Sequence, residues 1–79
     1  MTVTVRYYGR LQEEAGLAQE TLETSATTLE GLWSDVAERH PFTLDIKLIK
    51  AAQADEFCPW KAKLVPGALV VFMPPVAGG

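Results

Sequence analysis

The six residues Pro74-Pro75-Val76-Ala77-Gly78-Gly79 are the part of this sequence best fitted to do chemistry, and the group they offer is a main-chain carboxylate. The two prolines lack backbone donors, cannot continue a central strand, and favour a stiff, extended path. The two glycines then leave the carboxylate at the end of an arm without side chains, which a narrow channel in an activating enzyme can admit. From Pro74 to Gly79 such an arm reaches roughly 18–20 Å at full extension. A free carboxylate is a poor electrophile, so the chemistry that suits this tip is acyl activation through a better leaving group such as an adenylate. The plainer alternative is a frayed end, because chain termini tolerate glycine. On either reading the arm after Pro75 is expected to be mobile in the isolated protein, since nothing in it buries much apolar area.

Other reactive residue types are sparse. Cys58 is the single thiol, so it forms no internal disulfide and no thiolate metal cluster. It reads more simply as a small buried hydrophobe than as a persulfide carrier. His40 closes a predicted helix, where an imidazole meets the last carbonyls favourably, and it has no acidic or cysteine partner at ligand spacing. No metal site is expected. The adjacent pairs Glu13-Glu14 and Asp55-Glu56 point apart on a helix or strand and read as solvated surface. No glycine-rich phosphate loop is present, so no cofactor is expected on this chain and any ATP must be bound by a partner.

The elements that position the arm are legible from periodicity. Thr2–Tyr8 alternates, with Val3, Val5 and Tyr7 on one face and Thr2, Thr4, Arg6 and Tyr8 on the other, which is a strand with one buried face. Arg10–Ala15 reads as a short helix closed by Gly16, and Gln19–Thr24 as a strand. Thr27 with Glu30 three residues on predicts a capping box. Leu29, Leu32, Trp33 and Val36 then form the apolar stripe of the main helix, with Ser34, Asp35, Glu38 and Arg39 turned to water. Pro41 ends it. Ile46–Ala52 predicts a strand, Asp55–Trp60 is ambiguous, Trp60 fits either core or interface, and Lys61–Val65 allows a short strand. Pro66-Gly67 predicts a type II turn. The nearly all-apolar Ala68–Met73 predicts a central strand buried on both faces. One main helix against one mixed sheet is an α+β two-layer domain. Residues 1–73 make the domain and 74–79 the extended tail.

Composition narrows the class of function. Seventy-nine residues allow one small domain, and 48% hydrophobic with 22% charged residues is ordinary for a globular one. A net charge of −3 argues against nucleic acid, which calls for a basic stripe, and against an anionic membrane surface. No apolar run approaches the ~20 residues of a membrane span, and no secretory signal is visible in MTVTVRYY. The expectation is a cytoplasmic domain.

The stretch VVFMPPVAGG resembles the C-terminus of the small subunit of molybdopterin synthase, where two large apolar residues precede PPV-x-GG. The resemblance runs along the whole chain through Tyr7-Tyr8 at the end of the first strand, the Thr-x-x-Glu helix start, and Pro-Gly before the last strand. It implies a ubiquitin-like β-grasp fold. It further implies that Gly79, preceded by Gly78, is adenylated by an enzyme resembling the ubiquitin-activating ones and converted to a thiocarboxylate. A sulfurtransferase is the implied sulfur source. The implied recipient is the molybdopterin precursor, inside a large catalytic subunit joined to this one in a heterotetramer. The chain itself is then a sulfur carrier and not an enzyme. Tyr8 and Phe57 fall where the family places exposed apolar residues that meet partners. Met73 replaces its second aromatic before the prolines, and Pro74, Pro75, Val76 and Ala77 complete the implied contact. An arginine that some members carry in the first short helix is matched by Gln12, with Arg10 two positions earlier. The alternatives are a sulfur carrier for another pathway, such as the thiamin thiazole, whose tails usually lack the double proline, and a ubiquitin-like protein modifier.

Overall fold

Alternation in the first residues becomes strand β1 (Thr2–Tyr7), which buries Val3, Val5 and Tyr7 and turns Thr2, Thr4 and Arg6 the other way. In this computed structural model, which describes residues 1–75, the remaining elements follow in order. They are α1 (Gly9–Ala15), β2 (Gln19–Glu23), α2 (Leu29–Arg39), a 3-10 turn at Ile46–Leu48, β3 (Lys50–Gln53), β4 (Glu56–Cys58) and β5 (Leu69–Met73). The five strands form one mixed sheet in the order β2-β1-β5-β3-β4, with β1 and β5 parallel and the other pairings antiparallel. The last strand therefore lies in the middle, beside the first. This is the β-grasp arrangement.

Helix α2 covers one face of the sheet through Leu29, Leu32, Trp33 and Val36. Trp33 stacks on Phe42 at 5.2 Å and meets Phe72 edge-on at 5.2 Å, and Trp60 stacks on Phe72 at 5.7 Å. Trp60 thus belongs to the core side. Each large apolar side chain withdrawn from water here contributes about 1.5–3 kcal/mol, which fixes β5 under the helix.

Several local expectations change. The helix cap is Thr28, not Thr27: Thr28 is extended and its Oγ1 accepts from Gly31 N at 3.1 Å, while Thr27 uses its carbonyl to accept from Leu64 N. Asp35 does not simply face water but accepts a hydrogen bond from the Thr24 hydroxyl. Ile46–Leu48 is a 3-10 turn and not the start of a strand, because Asp45 caps it by accepting from Lys47 N at 2.8 Å. Ala54 and Asp55 both have positive φ, at 52° and 67°, and make the two-residue turn joining β3 to β4. Lys61–Val65 contributes a single bridge, Lys63 to Thr28, and no strand. Buried Gln53 holds this segment instead, donating to Lys63 O at 3.0 Å and accepting from Val65 N at 2.8 Å. The turn at Pro66-Gly67 stands as expected, with Gly67 at φ 81° and Ala68 N bonded to Val65 O.

Candidate functional site

Strand β5 is buried on one face only, contrary to its all-apolar sequence. Val70 and Phe72 face the helix, whereas Leu69, Val71 and Met73 lie half-buried on the opposite, uncovered face. A β-strand of uniform hydrophobicity carries no period to distinguish the two cases, and the described residues form only one long helix.

Pairing register assembles that open face in rows. Gln19, Arg6, Val71, Ala52 and Phe57 stand side by side across all five strands, and Lys50 pairs with Met73 one row nearer the tail. The small Ala52 leaves a hollow between Val71 and Phe57. A shallow groove of about 270 Å³ results, lined by Arg6, Tyr8, Ala52, Asp55, Phe57, Leu69, Val71 and Met73. Phe57 is 69% exposed and Tyr8 42%, so two aromatic rings stand in water at its margins. Arg6 is held across the strands by Gln19 Oε1, at 2.9 and 3.1 Å.

A second groove of about 460 Å³ adjoins the first where the chain leaves β5, bounded by Tyr8, Gly9, Arg10, Leu44, Met73, Pro74 and Pro75. The two share Tyr8 and Met73. Of the residues read as partner contacts, the structure therefore brings together Tyr8, Phe57, Met73, Pro74 and Pro75. Val76, Ala77, Gly78 and Gly79 lie outside the described residues. Arg6, Leu69, Val71, Ala52 and Leu44 complete the surface without having been singled out. The alternation of β1 already put Arg6 beside Tyr8, but Ala52 meets Val71 and Phe57 only through cross-strand pairing that no local pattern records.

The wall formed by Leu44 is tied to α1. Glu14, expected to be solvated, accepts from Thr43 N at 3.0 Å, from the Thr43 hydroxyl at 2.5 Å, and from Arg10 Nε at 3.2 Å. The Thr43 hydrogen bonds lead in holding its carboxyl below the usual range. On the far side of the sheet the His40 ring meets Glu20 Oε2 at 2.6 Å instead of the helix carbonyls, and the Tyr7 hydroxyl donates to the same oxygen at 2.5 Å. Burial, reinforced by that bond to Glu20, drives the Tyr7 phenol far above its ordinary value. Burial alone would raise Glu20, but its bonds from Tyr7 and His40 and the nearby charges of His40 and Arg39 outweigh it and lower the carboxyl. This cluster joins β1, β2 and α2 and lies away from the grooves. Cys58 packs its side chain against the core, its thiol donating to Glu56 O at 3.4 Å. No three metal-ligating side chains converge among the described residues. No helix among them is long and apolar enough to cross a membrane.

The described residues thus present an open, partly apolar face that adjoins the point where the chain leaves β5. Solved structures share the architecture. SAMP1 from Haloferax volcanii superposes with a TM-score of 0.83 at 18% identity, covering 100% of both chains. The protein described as subunit 1 of a molybdopterin converting factor from Pyrococcus furiosus gives 0.81 at 24% identity, over 96% of this chain and 99% of that one. A complex of subunits 1 and 2 of the molybdopterin-converting factor of Helicobacter pylori contains a chain matching at 0.70 and 22% identity, with 100% of each covered. At these identities the likeness establishes the fold. A search of curated protein sequences finds no match. The ThiS family profile, however, matches residues 5–79, nearly the whole sequence from within β1 onward. The chain belongs to the ThiS family, the ubiquitin-like sulfur carriers.

Proposed function

We propose that this chain is the sulfur-carrying small subunit of a molybdopterin synthase, with the Gly79 carboxylate as its reacting group. The observation that carries the reading is the continuity of the open apolar face with the tail exit through Tyr8 and Met73, leading into PPVAGG. A large catalytic subunit docks on the face and receives the tail in its active site. The H. pylori complex of subunits 1 and 2 supplies the analogy.

The chemistry divides between this chain and its partners. On an adenylyltransferase that resembles the ubiquitin-activating enzymes, the Gly79 carboxylate oxygen attacks the α-phosphate of ATP and pyrophosphate leaves. Hydrosulfide supplied through a sulfurtransferase then attacks the acyl carbon and expels AMP, and loss of its proton leaves the thiocarboxylate. The large subunit transfers that sulfur to the precursor of the molybdopterin dithiolene in the cytoplasm, within a heterotetramer. This chain contributes the acyl carbon and the surface that presents it, and binds no cofactor.

The test is intact-mass analysis after incubation with ATP, the activating enzyme and a sulfur source. One oxygen should be exchanged for sulfur at Gly79. Deleting Gly79 should abolish the exchange, because the carboxylate then stops about 3.5 Å short. Cys58→Ala should leave it intact. An exchange that disappears with Cys58 and survives loss of Gly79 would mean that the thiol carries the sulfur. The second reading, a carrier for thiamin thiazole, is the one the family's name favours and the double proline disfavours. Transfer from the loaded chain to a thiazole-forming system but not to a molybdopterin precursor would establish it, and a ladder of lysine conjugates in extract would establish a modifier.

A further inference from the structure

Parallel pairing of β1 with β5 ends at Tyr7 opposite Phe72, so two residues on, Gly9 lies beside Pro74 where one chain turns into α1 and the other leaves the sheet. A Cβ placed on Gly9 would stand 3.1 Å from Pro74 Cγ, closer than the roughly 3.5–4.0 Å at which packed carbons are most stable. Gly9 also has a φ of 53°, in the left-handed region that favours glycine. Gly16 and Gly67 share a positive φ, yet nothing lies within 4 Å of a Cβ built on either. Among the described glycines, Gly9 alone combines the conformation with the contact.

Neither side of this contact can easily retreat. Helix α1 is anchored by fully buried Leu11 and by the Glu14 bonds to Thr43, and its first turn closes on Tyr8 O through Leu11 N at 3.1 Å. Pro74 has a ring in place of a rotatable side chain, and Leu44 borders the same groove. We infer that Gly9 is a positioning residue: the space left by its missing side chain seats Pro74, and this seat sets the direction in which the chain leaves β5 towards its reacting carboxylate. The inference rests on the tail chemistry proposed above for its purpose, and on the Gly9–Pro74 contact for its geometry.

Gly9→Ala and Gly9→Asn separate steric contact from backbone conformation, because asparagine tolerates a positive φ but still brings a Cβ. Both variants should lower the kcat of Gly79 adenylation by about tenfold or more, since misplacing a reacting group by ~1 Å costs on the order of a hundredfold. The dissociation constant for the large subunit should stay within about twofold, because the row from Arg6 to Phe57 proposed to dock it is untouched. Proton NMR of the full chain gives a readout independent of activity: a Gly9 Hα to Pro74 Hγ Overhauser contact in the wild type, displaced in both variants. Wild-type kcat in both variants, or no such contact in the folded wild type, overturns the inference while leaving the tail chemistry intact. If the wild type is never activated at Gly79, the proposed function fails, and the Overhauser contact alone decides whether Gly9 seats Pro74.

Discussion

Truncating Phe57 to alanine tests whether the open face is a docking surface, because this ring contributes little to the folded chain and, on the proposed function, much to a partner. It is 69% exposed on the short edge strand β4, with Ala52 as its only cross-strand neighbour on that face. An aromatic side chain presents about 150–250 Å², so about 140 Å² of this one is open to cover by a partner. Truncation removes roughly 100 Å² of that, which at about 25 cal/mol per Å² is a loss of about 2.5 kcal/mol of binding. The dissociation constant should therefore rise about 60-fold. Folding stability should change by no more than about 0.5 kcal/mol, the usual range for a surface substitution. Phe72→Ala, one register row away but turned to the helix and fully buried, should instead cost about 3–5 kcal/mol of stability. Calorimetric titration of the purified large subunit with each variant, beside a urea melt of the variant alone, measures both quantities. Unchanged affinity for Phe57→Ala, with its melt superimposed on the wild type, would remove this face from the docking surface.

Two further expectations concern the elements that hold the sheet in place. Thr28→Ala should destabilise the fold by about 1 kcal/mol, lowering the melting temperature by about 4–8 °C, whereas Thr27→Ala should be near neutral; equal shifts in calorimetric scans would refute the assignment of the cap. Glu20 has its pKa lowered on folding, so its stabilising contribution is present above the unfolded value of about 4.3 and lost as pH falls through the folded value. Glu20→Gln should be less stable than wild type at pH 7, with the difference shrinking towards pH 3, and parallel stability curves across that range would refute it.

How much of this was legible depends on whether a residue's environment is written locally. Val3, Val5 and Tyr7 announce a buried face by spacing alone, and Leu29, Leu32, Trp33 and Val36 announce the helix that covers it. The tail motif is equally local. The cap was placed one residue early because the Thr27–Glu30 spacing fits a capping box, whereas the Thr27 carbonyl that accepts from Leu64 N is held by a contact spanning the fold. Glu14 and His40 were misjudged for the same reason: their partners, Thr43 and Glu20, stand 29 and 20 residues away. The β3–β4 turn escaped notice because Ala54-Asp55 lacks the glycine that such a positive-φ pair ordinarily uses.

The one-sided burial of β5 links the folding problem to the functional one. A five-stranded sheet has two faces, and a chain with a single three-turn helix can cover only one. Leu69, Val71 and Met73 on the uncovered face are half-buried by their neighbours, and Arg6, held by Gln19, interrupts the apolar surface at the β1 end. An apolar face of this kind is tolerated in isolation but favours a partner. Because β5 lies at the centre of the sheet, the strand that completes the core is also the one that delivers Pro74 and Pro75 to the margin of the open face. Stability and presentation are therefore written on alternate residues of one strand. Substitutions at Val70 and Phe72 should act through folding, and those at Leu69, Val71 and Met73 through docking.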